Sequence, residues 1–104
     1  MRVMLTFRIQ PEKGDTLIKE GRMGEAMASI LDALQPEAAY FTDIEGTRGG
    51  YLVVNMNDAS EMPAMTEPLF LGLGATVHMH PVMTPEDLRG AAGELLQNIG
   101  QQYA

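Results

Sequence analysis

With no cysteine among its 104 residues, the chain can form no disulfide, offer no thiolate nucleophile and build no Cys-ligated zinc or iron–sulfur centre. Basic charge is scarce: seven Lys and Arg stand against fourteen Asp and Glu, a net charge of −7. Nucleic acids and anionic membrane surfaces are recognised by clustered cations that displace counterions, and here the few cations are scattered among acids, which argues against both partners. No apolar run approaches the ~20 residues that a membrane-spanning helix needs. The N-terminal stretch "MRVMLTFRIQPEKG" lacks a secretory pattern because Arg8 interrupts its short apolar run, so a cytoplasmic location is expected. Internal repeats, low-complexity tracts and long linkers are missing too. At this length a single domain spanning 1–104 with one core is expected.

What is present is alternation. Between Arg2 and Ile9, residues Val3, Leu5, Phe7 and Ile9 fall on one side and Met4, Thr6 and Arg8 on the other, the period-two signature of a strand. From Asp15 to Leu34 the apolar spacing lengthens to three and four, which predicts a helix weakened by Gly21 and Gly24. "EAAYFTDI" (37–44) and "GYLVVNM" (50–56) read as two strands flanking "EGTRGG", whose glycines suit a hairpin turn. Asp58 and Glu61 have capping-box spacing and open a second helix, which Pro68 is expected to kink or end. Residues 76–82 form a fourth strand. "TPED" (84–87) then starts an amphipathic C-terminal helix: a Thr cap, a first-turn proline and two acids at the positive end of the dipole.

The order β-α-β-β-α-β-α leads to a split βαβ, ferredoxin-like α+β sandwich, with two helices on one face of a four-stranded antiparallel sheet in the order 4-1-3-2. The helix-covered side should carry Val3, Leu5, Phe7, Leu52, Val54, Met56, Val77 and Met79. The opposite side then carries Met4, Thr6, Arg8, Tyr40, Thr42, Tyr51, Val53, Asn55, Thr76, His78 and His80. That second set is too apolar to be left in water and too polar for a dry core, a mixture expected where a partner covers a face and leaves a solvated cavity. A homodimer that pairs two sheets is the expectation.

The element order, this mixed face and the ending "VHMHPVMTPEDL" resemble the dimeric α+β barrel superfamily, most of all its small bacterial members without an assigned activity. The likeness spans nearly the whole chain and is one of architecture and pattern. It implies sheet-to-sheet pairing into a barrel and, in some relatives, cofactor-free isomerase or monooxygenase chemistry. The haem-degrading branch is set aside, since the chain has no Trp and none of that branch's signature.

The two histidines, His78 and His80, share one side of a strand whereas Met79 points to the other, so "HMH" cannot clamp a metal as three consecutive ligands. A two-histidine site needs further ligands, which only a symmetry-related copy could add; no metal and no cofactor is assigned. The remaining reading is a pocket. Thr6, Arg8, Tyr40, Tyr51, Asn55, His78 and His80 line the open face, with His78 expected near Thr6, Arg8 and Asn55 close by and Tyr40 farther across. Arg8 could hold a small carboxylate or enol-like anion through paired donors, and the His78 imidazole could move a proton. The plain alternative has Arg8 paired to an acid across the interface and both histidines bonded to a partner's backbone. "GTRGG" is better explained as a turn than as an anion cradle around Arg48. Glu61 is accounted for by capping and Glu67 falls in an expected surface turn. Ser29 and Ser60 have no adjacent base.

Three functions follow: a dimeric binding protein for a small anionic or aromatic metabolite, a cofactor-independent isomerase- or monooxygenase-like enzyme using His78, or a structural dimer without ligand.

Overall fold

Four strands, β1 (Arg2–Arg8), β2 (Ala38–Ile44), β3 (Thr47–Asn55) and β4 (Thr76–Pro81), form one antiparallel sheet in the order β2-β3-β1-β4 in the computed structural model, which describes all 104 residues. Five helices accompany it: α1 (Pro11–Lys19), α2 (Met23–Leu34), α3 (Met62–Leu73), α4 (Pro85–Arg89) and α5 (Ala91–Gln102). The architecture is α+β and ferredoxin-like, and the sheet is open. The two middle strands, β3 and β1, supply the strand residues most deeply buried: Val3, Leu5, Phe7, Leu52 and Val54.

On the helix side, Leu5, Phe7, Leu52 and Val54 are wholly buried, and α2 and α3 close over them with Ile30, Leu34, Leu69 and Leu73. Each such side chain contributes about 1.5–3 kcal/mol on leaving water. Every residue of the core lies between Val3 and Ala75. In β4 the half-buried Val77 and Met79 alternate with exposed Thr76, His78 and His80, so the division of faces follows the alternation in the sequence.

Four boundaries differ from the sequence reading. The expected long helix over 15–34 is two helices. Pro11 sits in the first turn of α1 as a starter, with Gln10 capping, and the chain breaks at Gly21, whose φ of 67° terminates the first segment. The hairpin turn is shorter than "EGTRGG". Glu45 and Gly46, both with positive φ, make a two-residue connection, and Thr47 to Gly50 belong to β3. Pro68 lies inside α3 without ending it. The bond it forfeits would fall to Ala64, an exposed residue near the helix start, while burial of Leu69 and Leu73 anchors the rest. Finally, the C-terminal helix is two pieces separated by Gly90, and neither contains a buried residue.

Candidate functional site

The face of the sheet away from the helices carries its side chains in rows fixed by strand register. In the central row His78 of β4 pairs with Thr6 of β1, Thr6 with Tyr51 of β3, and Tyr51 with Tyr40 of β2. Partners across a ladder stand ~5 Å apart, so these four side chains form a band about 14 Å long. One row towards the start of β1 come His80, Met4, Val53 and Ala38; one row the other way come Thr76, Arg8, Gly49 and Thr42. Arg8 is thus a diagonal neighbour of His78, within reach of a long side chain.

Asn55 is not close by. It pairs with Arg2, four residues along from the central row, which is ~13 Å at strand rise, and its Oδ1 accepts a 3.0 Å hydrogen bond from the N-terminal ammonium. Its environment is the end of the sheet, where Arg2 also pairs with Glu37. That ion pair holds the Glu37 carboxyl below its usual range, chiefly through the hydrogen bond from Arg2, and raises the guanidinium correspondingly.

Electrostatically, Arg8 stands apart from the other arginines. Arg2, Arg22, Arg48 and Arg89 each meet a carboxylate, at Glu37, Glu20, Asp15 and Glu86 respectively. Arg8 meets none, and its Nε is buried without a hydrogen-bond partner. A buried donor left unpaired costs about 1–3 kcal/mol, and no acceptor within the chain offsets that cost here. Glycine explains its room. Gly49 lies opposite Arg8, and a Cβ there would come within 2.2 Å of the Phe7 carbonyl oxygen, so the strand tolerates no side chain beside the guanidinium stem.

No protein-family model matches this chain, and no curated protein matches it either. His78 and His80 are both exposed, on one face and two residues apart, and no group of three His, Asp or Glu in the chain converges on a point where a metal would sit. Tyr40 is 65% exposed and Tyr51 half-buried, so the band runs from a wet edge to a drier centre.

One concavity lies away from the open face. A groove of about 780 Å³ opens on the helix side, between the α1–α2 break and the β2–β3 hairpin, with Ile9, Ile18, Met23, Met27 and Phe41 supplying its apolar wall. It exists because the helix layer ends short of β2: Phe41 meets the Phe7 ring edge-on at 6.4 Å yet stays 55% exposed. The one signal in the sequence is Gly21, whose positive φ ends α1 and breaks the helical cover. Arg48 borders the groove and is tied by a 3.0 Å bond to Asp15, so "GTRGG" presents no free cation.

Proposed function

We propose that the chain is a homodimer that pairs its open sheet faces and binds a small anionic, aromatic-tolerant metabolite in the chamber between them. The observation that carries this reading is Arg8: an unpaired guanidinium with a buried, unsatisfied Nε, beside an imidazole, a threonine hydroxyl and a tyrosine on a face too apolar for water. A carboxylate satisfies two guanidinium donors at once, and ring stacking on Tyr51 or Tyr40 suits a flat ligand. Burial of the face by a second copy supplies the dry surroundings in which one charge-assisted contact becomes selective.

Benzoate is a fair probe, since it is both flat and anionic. Calorimetric titration of the wild-type protein is expected to show saturable binding, and Arg8→Gln should weaken it by roughly 10- to 100-fold, the value of hydrogen bonds to a charged group. Arg8→Lys should recover only part of the affinity, because a point charge cannot make the bidentate contact. If benzoate and other small carboxylates all fail to bind, the anion-site reading is wrong.

The exposed His78, level with Thr6 and Tyr51, supports a second reading in which a bound substrate loses or gains a proton there. Turnover of a bound compound that survives His78→Ala unchanged would exclude this role.

A further inference from the structure

After Pro81 the chain leaves the body. The segment from Val82 to Ala104 is bonded to the sheet at Val82, whose N–H reaches the Arg2 carbonyl; beyond that, α5 packs substantially only against α4. The corner between these two helices is set by glycine: a Cβ at Gly93 would lie 2.7 Å from the Leu88 carbonyl oxygen. The molecule measures 59 × 27 × 20 Å, with a radius of gyration of 17.2 Å, where a compact chain of this size has ~13 Å. Along α5 of this arm and its C-cap, Ala92, Leu95, Leu96, Ile99 and Tyr103 recur at helical spacing on one stripe, with Glu94, Asn98 and Gln101 opposite. Of the thirteen large hydrophobic residues exposed in the chain, six belong to the whole arm.

The arm and the groove occupy opposite corners. The arm leaves where β4 ends and β1 begins, at the β4 edge of the sheet, whereas the groove lies at the far end, against the β2 edge. Across a sheet seven residues long and four strands wide this is a diagonal of ~27 Å, longer than the ~18 Å of α5 itself. A two-fold axis behaves differently. If two copies pair their open faces with strands crossing near 90°, a two-fold axis in the interface plane at about 45° to the strands brings one copy's arm corner to within ~6 Å of its partner's groove corner. The groove faces away from that interface and stays open in the pair.

We propose that α5 of each copy hooks round the β2 edge of a second copy and seats its leucine stripe in the partner's groove, against Ile18, Met23, Met27 and Phe41. The area supports this occupant. Paired sheet faces alone bury roughly 900 Å² in total, short of the ~1,200–2,000 Å² of a stable interface. Two reciprocal arms, each a 12-residue helix ~18 Å long, bring the total near 1,600 Å². The inference rests on the sheet-paired dimer proposed above.

Its test uses the absence of native cysteine. Ile18→Cys and Leu96→Cys are made as separate full-length chains, mixed, and treated with a short bismaleimide linker, alongside the double variant at high dilution. Sedimentation is run on wild type, on Leu95→Glu/Leu96→Glu and on Met4→Glu, each first checked for native far-UV dichroism. The expected result is a dimeric wild type, cross-linking between the two singly substituted chains, and dimer dissociation strengthened on the order of tenfold or more by the arm glutamates. Wild-type dimers with no inter-chain cross-link and an unmoved dissociation constant in the arm variant would overturn the arm, leaving sheet pairing intact. Cross-linking within single chains of the double variant would overturn it as well. A dimer that Met4→Glu leaves untouched and the arm variant abolishes would keep the arm and remove the sheet pairing, and a monomeric wild type removes both.

Discussion

At Gly50 a Cβ atom would stand 2.1 Å from the Tyr40 carbonyl oxygen, and at Gly49 one would stand 2.2 Å from that of Phe7. Both obstacles are backbone in a paired strand, so neither can swing aside as a flexible side chain would. Gly49→Ala is therefore expected to cost about 3 kcal/mol or more, read as a fall in the urea midpoint with little change in slope. It should also crowd Arg8, so any folded fraction should bind benzoate more weakly. Asp58 offers a contrasting test on the surface. The Ser60 hydroxyl and then its backbone N–H donate to the carboxylate, which keeps the Asp58 pKa below the usual aspartate range. A depressed carboxyl stabilises the fold above its ordinary pKa of about 4, and that contribution is lost as pH falls through the lowered native value. Ser60→Ala should raise the Asp58 titration midpoint in an NMR pH series and flatten the acid limb of the stability curve. An Asp58 midpoint that stays put would mean the hydroxyl contributes nothing.

Elements divide into those whose signals are local and those decided by tertiary context. The strands were legible because alternation in β1, β3 and β4 states which side chains share a face, and the face assignment of His78 and Met79 followed from that alone. The capping boxes at Asp58–Glu61 and Thr84–Asp87 were legible for the same reason: their partners are three residues apart. The break between α1 and α2 was only half visible, because two glycines three residues apart look alike in sequence and are opposite in structure. Gly21 has φ 67° and ends a helix, whereas Gly24 lies within α2 and a Cβ there would meet nothing within 4 Å. Gly21→Ala should destabilise the protein by about 1 kcal/mol, while Gly24→Ala should stabilise it by roughly 0.5–1 kcal/mol, both measurable by thermal or urea unfolding. Equal shifts of one sign would contradict the conformational assignment. The site was partly legible: register places His78, Thr6, Tyr51 and Tyr40 in one row and Arg8 beside them. Asn55 was misplaced because sharing a face says nothing of distance along the strand, which needs the pairing register. The groove was signalled only by Gly21 and the free arm not at all, since each depends on which surfaces helices leave uncovered.

For the whole molecule, the buried core is confined to the first three quarters of the chain. All thirteen core hydrophobics lie at or before Ala75, while α4 and α5 contribute none. A chain ending at Met83 should accordingly retain a cooperative unfolding transition, with helical dichroism reduced by the share of the missing segment. What it should lose is dependence on its own concentration. In a dimer, association stabilises the native state by mass action, so the wild-type Tm should rise by a few degrees over a hundredfold increase in protein, because each tenfold step adds about 1.4 kcal/mol per dimer. The shortened chain, left with sheet faces that bury too little area, should show a Tm nearly independent of concentration. Differential scanning calorimetry across that range separates the cases. A wild-type Tm that does not move with concentration would place the whole native stability in the single chain, and the exposed leucines of α5 would then face water. A shortened chain that keeps the wild-type slope would assign the interface to the sheet alone, since the same open face with Met4, Tyr51 and Val53 is present in both.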